Sequence, residues 1–277
     1  MKRTVLAIIP AVIILSSCAP KAQTFTFAQL SDPQLRFNRD TGIEGVSAFQ
    51  LDSIHLEKAI ARVNSLKPEF VVVTGDLVNE VSNEDDQKTY KDLISKISPD
   101  IPVYNVAGNH DIRDGADNAQ VDAHIARYGY DRFCFDHKGA RFIGINDNLI
   151  KSSNETREQE QFQWLSDQLA KARKKRMPVY IFSHCPVFLN TIDEEPSYNA
   201  FPPEARRKYW DLFKESGVKA IIAGHLHYNK TTEFEGIQTV VTGPTGFSFE
   251  QGGDKEGFRL WTITPDSFSS EFIYIKE

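Results

Sequence analysis

Five short blocks in this chain carry residue types that do chemistry. They are Ser31-Asp32-Pro33-Gln34, Gly75-Asp76, Gly108-Asn109-His110-Asp111, Ser183-His184 and Gly224-His225-Leu226-His227. Each follows directly on a run of residues that reads as a β-strand. Loops leaving strand ends in α/β sheets converge on one crevice, which is where such folds bind ligands. The glycines allow a sharp backbone turn straight out of a strand. Together the blocks present carboxylates, amides and imidazoles to a common rim, a mixture of oxygen and nitrogen donors that suits borderline divalent metals. Singly they say little, since Gly-Asp occurs at many turns. Their order and shared placement carry the reading.

The elements that must position these blocks alternate along the chain. Phe25 to Leu30 reads as a strand, and residues 51–67 place Leu51, Ile54, Ile60, Val63 and Leu66 at helical spacing, with Pro68 closing the helix. Phe70 to Val73 is fully apolar, as a strand buried on both faces must be. A polar helix is expected over 85–97, a strand over 102–106, a helix over 121–128 and strands over 132–135 and 141–145. Residues 157–174 form an amphipathic helix with Phe162, Trp164, Leu165 and Leu169 inward. Its basic tail, Lys171 to Arg176, complements the helix dipole as a solvated end. A strand over 179–182, a helix over 203–216 and a strand over 220–223 follow, then a strand-rich tail at 231–234, 238–242, 258–263 and 268–274. This pattern predicts one layered α/β domain with mixed sheets over residues 24–277.

The order and contexts of the five blocks resemble the calcineurin-like metallophosphoesterase superfamily, whose pattern runs Asp-x-His, Gly-Asp, Gly-Asn-His-Asp/Glu, His and Gly-His-x-His. The resemblance spans Asp32 to His227 plus the strand-rich tail. It implies an α/β/β/α sandwich of two mixed β-sheets and a centre of two divalent metal ions: manganese, iron or zinc. Asp76 would bridge the ions; Asp32, Gln34 and His227 would hold the first, and Asn109, His184 and His225 the second. Two cations about 3.5–4 Å apart clamp a phosphoryl group for in-line displacement. A water between them loses its proton near neutral pH and becomes the nucleophile. His110 would face the substrate and stabilise or protonate the leaving oxygen. Asp111, adjacent in sequence, and Asn79 are both candidates to orient His110.

Three further features bear on the substrate. Arg36 and Arg113 each follow a ligand block closely and are candidates for a substrate phosphate, with a solvated surface role as the alternative for each. Tyr198, Phe201 and the loop 190–202 lie between ligand histidines, either as a pocket wall or as plain connection. Gln34 stands where the family usually has histidine, and a neutral amide oxygen is the weaker ligand. Asp32-Pro33-Gln34, with His184-Cys185-Pro186-Val187-Phe188-Leu189, resembles a subgroup that includes eukaryotic proteins described as Ser/Thr protein phosphatases. That implies hydrolysis of a phosphomonoester, on a phosphorylated small molecule or a phosphoprotein. A phosphodiesterase or nucleotide hydrolase is the alternative with the same ligands. A non-catalytic lipoprotein that binds metal or phosphate is the third, and the intact His110 argues against it.

Composition frames these expectations. Over 277 residues, 40% are apolar and 25% charged, which suits a globular chain with a sizeable core. The net charge of −6 lacks the positive field of a nucleic-acid binder. At the N-terminus, Lys2 and Arg3 precede an apolar stretch from Val5 to Leu15, too short to span a bilayer comfortably. Leu15-Ser16-Ser17-Cys18 then resembles the lipobox of bacterial lipoproteins. Residues 1–17 are therefore expected to be a signal peptide, Cys18 the lipidated residue and 18–23 a tether. The expected location is the cell envelope, anchored to a membrane by lipid, as a monomer. Cys134 and Cys185 are expected to be buried free thiols, and His55, His124 and His137 to be structural or surface residues.

Overall fold

The computed structural model describes residues 23–113, 115–152, 154–249 and 255–275; residues 1–17, Cys18 and most of the tether lie outside them. Two mixed sheets face each other. In the first, β1 (Phe25–Leu30), β2 (Val71–Thr74) and β3 (Val103–Val106) run parallel, and β10 (Gly257–Ile263) and β11 (Phe268–Tyr274) add antiparallel strands beside β1. In the second, β5 (Ala140–Gly144), β6 (Val179–Phe182), β7 (Val218–Ala223) and β9 (Ile237–Val241) are parallel. Its edges are the antiparallel β4 (Phe133–His137) and β8 (Lys230–Phe234).

Helices cover both outer faces. α1 (Ala48–Leu66) and α2 (Glu84–Ile94) lay Leu56, Ile60, Val63, Tyr90 and Leu93 on the first sheet. α5 (Glu155–Lys175) and α6 (Pro203–Glu215) lay Leu165, Leu169, Trp210 and Phe213 on the second. Aromatic rings fill the space between the sheets, with Phe27 stacked on Phe70 at 4.8 Å and on Trp261 at 5.6 Å. The result is the expected α/β/β/α order.

Local differences have local causes. α1 begins at Ala48 because Ser47 and Gln50 form a capping box ahead of the first apolar repeat. α3 (Asn118–Tyr128) likewise starts early, on the Asp117–Gln120 box. α4 (Asn148–Lys151) is a single turn, too short for any periodicity to reveal. Cys185 is buried and Cys134 half-buried, both as free thiols. His124 packs on Tyr128 and His137 on Phe25, while His55 donates to the carbonyl of Gly246, whose own N–H bonds the Asp32 carbonyl behind the first block.

One buried amide ties the sheets together. Gln29 Nε2 donates to Thr74 Oγ1 and to the Ala223 carbonyl, both at 3.0 Å. Its Oε1 accepts from Thr242 Oγ1 at 2.7 Å and Trp261 Nε1 at 3.1 Å. Every hydrogen-bonding capacity of the amide is thus used, across both sheets. Thr74 Oγ1 passes the network to Ser31 Oγ, which donates to Asp32 Oδ2. Gln29→Leu keeps the volume but leaves several of these groups bare. At about 1–3 kcal/mol per buried group left unsatisfied, it is expected to cost about 3 kcal/mol or more, read as a lower urea midpoint. An unchanged midpoint would show that the amide contributes nothing net.

Candidate active site

The five blocks leave from the C-terminal ends of β1, β2, β3, β6 and β7 and meet where the two sheets adjoin. Their backbone is strained for that purpose. Asp32 (φ 46°), Gln34 (φ 35°), Asp76 (φ 51°), His225 (φ 71°) and His227 (φ 55°) all occupy the left-handed region. Non-glycine residues there cost roughly 1–3 kcal/mol each and persist only when surrounding structure over-determines them. The over-determination is visible: Asp32 N–H bonds to the Gly75 carbonyl, Gln34 N–H to the Asp76 carbonyl and His225 N–H to both Asp32 oxygens. Space is equally tight. A Cβ on Gly224 would strike Ser31 Oγ and lie 2.6 Å from Asp32 Oδ2, and one on Gly108 would strike Asp76 Oδ1.

Two groups of donors form. In the first, His184 Nδ1 donates to the Thr74 carbonyl at 2.8 Å, which turns Nε2 toward the centre. Around that nitrogen stand Asn109 Oδ1 at 3.0 Å, His225 Nδ1 at 3.2 Å and Asp76 Oδ2 at 3.3 Å. In the second, His227 Nδ1 donates to the Phe247 carbonyl and Nε2 lies 3.6 Å from Asp32 Oδ1. Gln34, two residues after Asp32, is buried with its Oε1 lacking a hydrogen-bond partner; His225 Nε2 is in the same condition. Buried polar atoms left bare are costly, and backbone carbonyls on the far imidazole nitrogens are the usual support of metal-binding histidines.

Charge tells the same story. Burial opposes charge on both His184 and Asp76, yet their mutual attraction overrides it, taking His184 up to about 10 and Asp76 below the usual carboxylate range. The point between them therefore calls for positive charge. Burial, reinforced by the charge on His184, lowers His225 to about 3, so its imidazole stays neutral with a lone pair to give. Burial raises Asp32, against the pull of His227 and His184. Among the described residues, Asp76, His184 and His225 hold ligand atoms all within 4.8 Å of one another. These residues fit a divalent metal centre.

The remaining expected residues divide. His110 borders a cavity of about 490 Å³ with Asn79, Glu80, Asn109, Arg113 and Tyr198. Its Nδ1 donates at 2.7 Å to the Asn79 carbonyl, so Asn79 is its orienting partner, through the backbone. Asp111 is not: its buried carboxylate accepts from Leu77 N–H and Gly108 N–H and meets no ring, because the turn at Gly108 sends it inward. Burial, with the nearby charge of Asp76, raises that carboxyl to about 7. Asp111 shapes the loop from behind the centre and, among the described residues, makes no hydrogen bond to His110. Arg36 is also elsewhere, its guanidinium forked onto Asp86 and laid over Phe49 at 4.4 Å. Arg113 does stand at the cavity, bonded to Glu80 and Ser82 at its exposed edge. Tyr198 walls the cavity and accepts from Asn109 Nδ2 at 2.9 Å, whereas Phe201 is core. Asn146-Asp147-Asn148 escapes the sequence; its only signal is a polar triplet directly behind an apolar strand.

The Calcineurin-like phosphoesterase family pattern matches residues 25–229. The chain is 30% identical over 257 residues to the Serine/threonine-protein phosphatase CPPED1 of Danio rerio, covering 88% of this chain and 82% of that one. It is 28% identical over 208 residues to a probable glycerophosphodiester phosphodiesterase, GpdQ, of Arcobacter nitrofigilis, covering 70% and 71%. In fold it is similar to the crystal structure of a dimetal phosphatase from Danio rerio, with a TM-score of 0.66 at 16% identity, covering 91% of this chain and 97% of that one.

Gly224→Ala is expected to displace Asp32 and weaken manganese binding by roughly tenfold or more, the scale seen when a metal ligand loses its support. Calorimetric titration of a variant with native circular dichroism checks this, and wild-type affinity would contradict it.

Proposed function

The chain belongs to the calcineurin-like phosphoesterase family, and from that premise we propose that it hydrolyses phosphomonoesters at a centre of two divalent cations. The observation that carries this reading is the pair of donor groups sharing one rim: Asp76, Asn109, His184 and His225 on one side, Asp32, Gln34 and His227 on the other. When bound, two divalent cations clamp a phosphoryl group and supply a water nucleophile at neutral pH. Manganese, iron and zinc suit the mixed imidazole, carboxylate and amide set. Asp76, grouped with His184 and His225, would be the carboxylate shared by both cations. His110, fixed through Nδ1 on the Asn79 carbonyl, keeps Nε2 for the leaving oxygen. Arg113, at the same cavity, is placed to meet substrate phosphate or its neighbouring charge.

The relatives called Serine/threonine-protein phosphatase CPPED1 support the monoester and make a phosphorylated protein side chain one candidate substrate. A cavity of about 490 Å³ beside His110 has room for such a group. The diesterase reading draws support from the GpdQ relative. A metal-binding role without turnover gives no use to His110, which is supported and faces a cavity without being a ligand. Residues 1–18 support export and lipid attachment at Cys18, which would put a monomeric enzyme at the cell envelope, acting on substrates outside the cytoplasm.

Asp76→Asn is expected to reduce hydrolysis of p-nitrophenyl phosphate to background, and full activity in that variant would overturn the assignment. Wild-type enzyme is expected to prefer this monoester to bis(p-nitrophenyl) phosphate; the reverse preference would favour the diesterase. For the anchor, Cys18→Ser should move the protein expressed in a bacterium from the membrane fraction to the soluble one. An unchanged membrane fraction would contradict lipidation.

A further inference from the structure

We propose that Asn146-Asp147-Asn148 is a strut that sets the spacing of the ligand group containing His184 and Asn109, with Asp147 and Asn148 acting as positioning residues for those two side chains. The inference rests on the cation centre proposed above. Asn109 leaves β3 in the first sheet and His184 leaves β6 in the second, yet Asn109 Oδ1 and His184 Nε2 must hold a 3.0 Å separation. Ligands borne on different sheets need a common reference.

The triplet supplies one. It follows β5 and leads into α4. Asp147 Oδ1 accepts from His184 N–H at 2.7 Å, and Oδ2 accepts from Cys185 N–H at 3.0 Å. One carboxylate thus grips the loop leaving β6. Asn148 Nδ2 donates to the carbonyls of Ala107 at 3.1 Å and Gly108 at 3.2 Å, the two residues just ahead of Asn109. It also reaches Asn146 Oδ1 at 3.1 Å. Consecutive residues therefore hold one loop from each sheet.

The strut is itself anchored. Gln161 of α5 pairs with both backbone groups of Asn146: the N–H reaches Oε1 at 2.8 Å, and Nε2 reaches the carbonyl at 3.0 Å. Asp147 also breaks a local rule. It occupies the N-cap position of α4, where an aspartate normally bonds the helix's first N–H groups, but makes no such bond. Its carboxylate serves the His184 loop instead, and a sacrificed local preference marks a residue held for another purpose. Among the described residues, none of the triplet's side-chain hydrogen bonds reaches Asp32, Gln34 or His227. The effect should fall on one ligand group.

Manganese titration of the full-length protein by calorimetry tests this, with p-nitrophenyl phosphate turnover followed on the same samples. Wild type should bind in two steps. Asn148→Ala is expected to weaken one step about 10–100-fold, as loss of outer-shell support does, while the other stays within about twofold and saturating manganese restores most of kcat. Asp147→Asn should shift the same step, and it carries the test alone if Asn148→Ala fails to fold. Wild-type binding of both cations by a folded variant, or equal weakening of both steps, would overturn the strut. Wild-type protein that binds no manganese would instead remove the cation centre, and the strut with it.

Discussion

Lone pairs crowd into one buried point of this protein. Imidazole nitrogens from His184 and His225, a carboxylate oxygen from Asp76 and an amide oxygen from Asn109 face one another at hydrogen-bond distances. Acceptors repel when nothing positive lies between them, and burial removes the water that would screen them. Attraction from Asp76 holds a proton on His184 against the penalty of burial. A divalent cation meets the same demand more completely. The rest of the rim can be read as the apparatus that keeps these groups from relaxing apart.

That apparatus is the joint between the sheets. His184, from the second sheet, donates to Thr74 of the first, and Asp32 of the first accepts from His225 of the second. Gln29 closes the joint from below with four hydrogen bonds, and its network ends on Asp32 through Thr74 and Ser31. Left-handed backbone at five of the blocks' residues is tolerated because these bonds leave no alternative path. Stability and function are coupled here: the contacts that join the layers are those that aim the ligands.

Much of this was legible in the sequence because each ligand stands just beyond an apolar strand, and strand ends are easy to find. The layer order followed from the alternation of elements, and only capped starts such as Ser47 and the single turn of α4 fell outside apolar periodicity. Side-chain partners far apart in sequence were not legible. Arg36 sits near a ligand block, but Asp86, fifty residues on, claims it. Asp111 is adjacent to His110, yet the Gly108 turn buries its carboxylate on backbone N–H groups. Asn79 does orient His110, through a carbonyl that no residue type could have advertised. Asn146-Asp147-Asn148 carries no glycine and no histidine, so nothing in its composition separates it from an ordinary loop.

Catalysis by paired cations is tested most directly by following manganese occupancy and p-nitrophenyl phosphate hydrolysis together as the metal is added. Two-cation chemistry predicts binding of about two ions per chain, with turnover rising as the second site fills. Folded protein that binds one ion or none, and turns over no ester at any metal concentration, would contradict it.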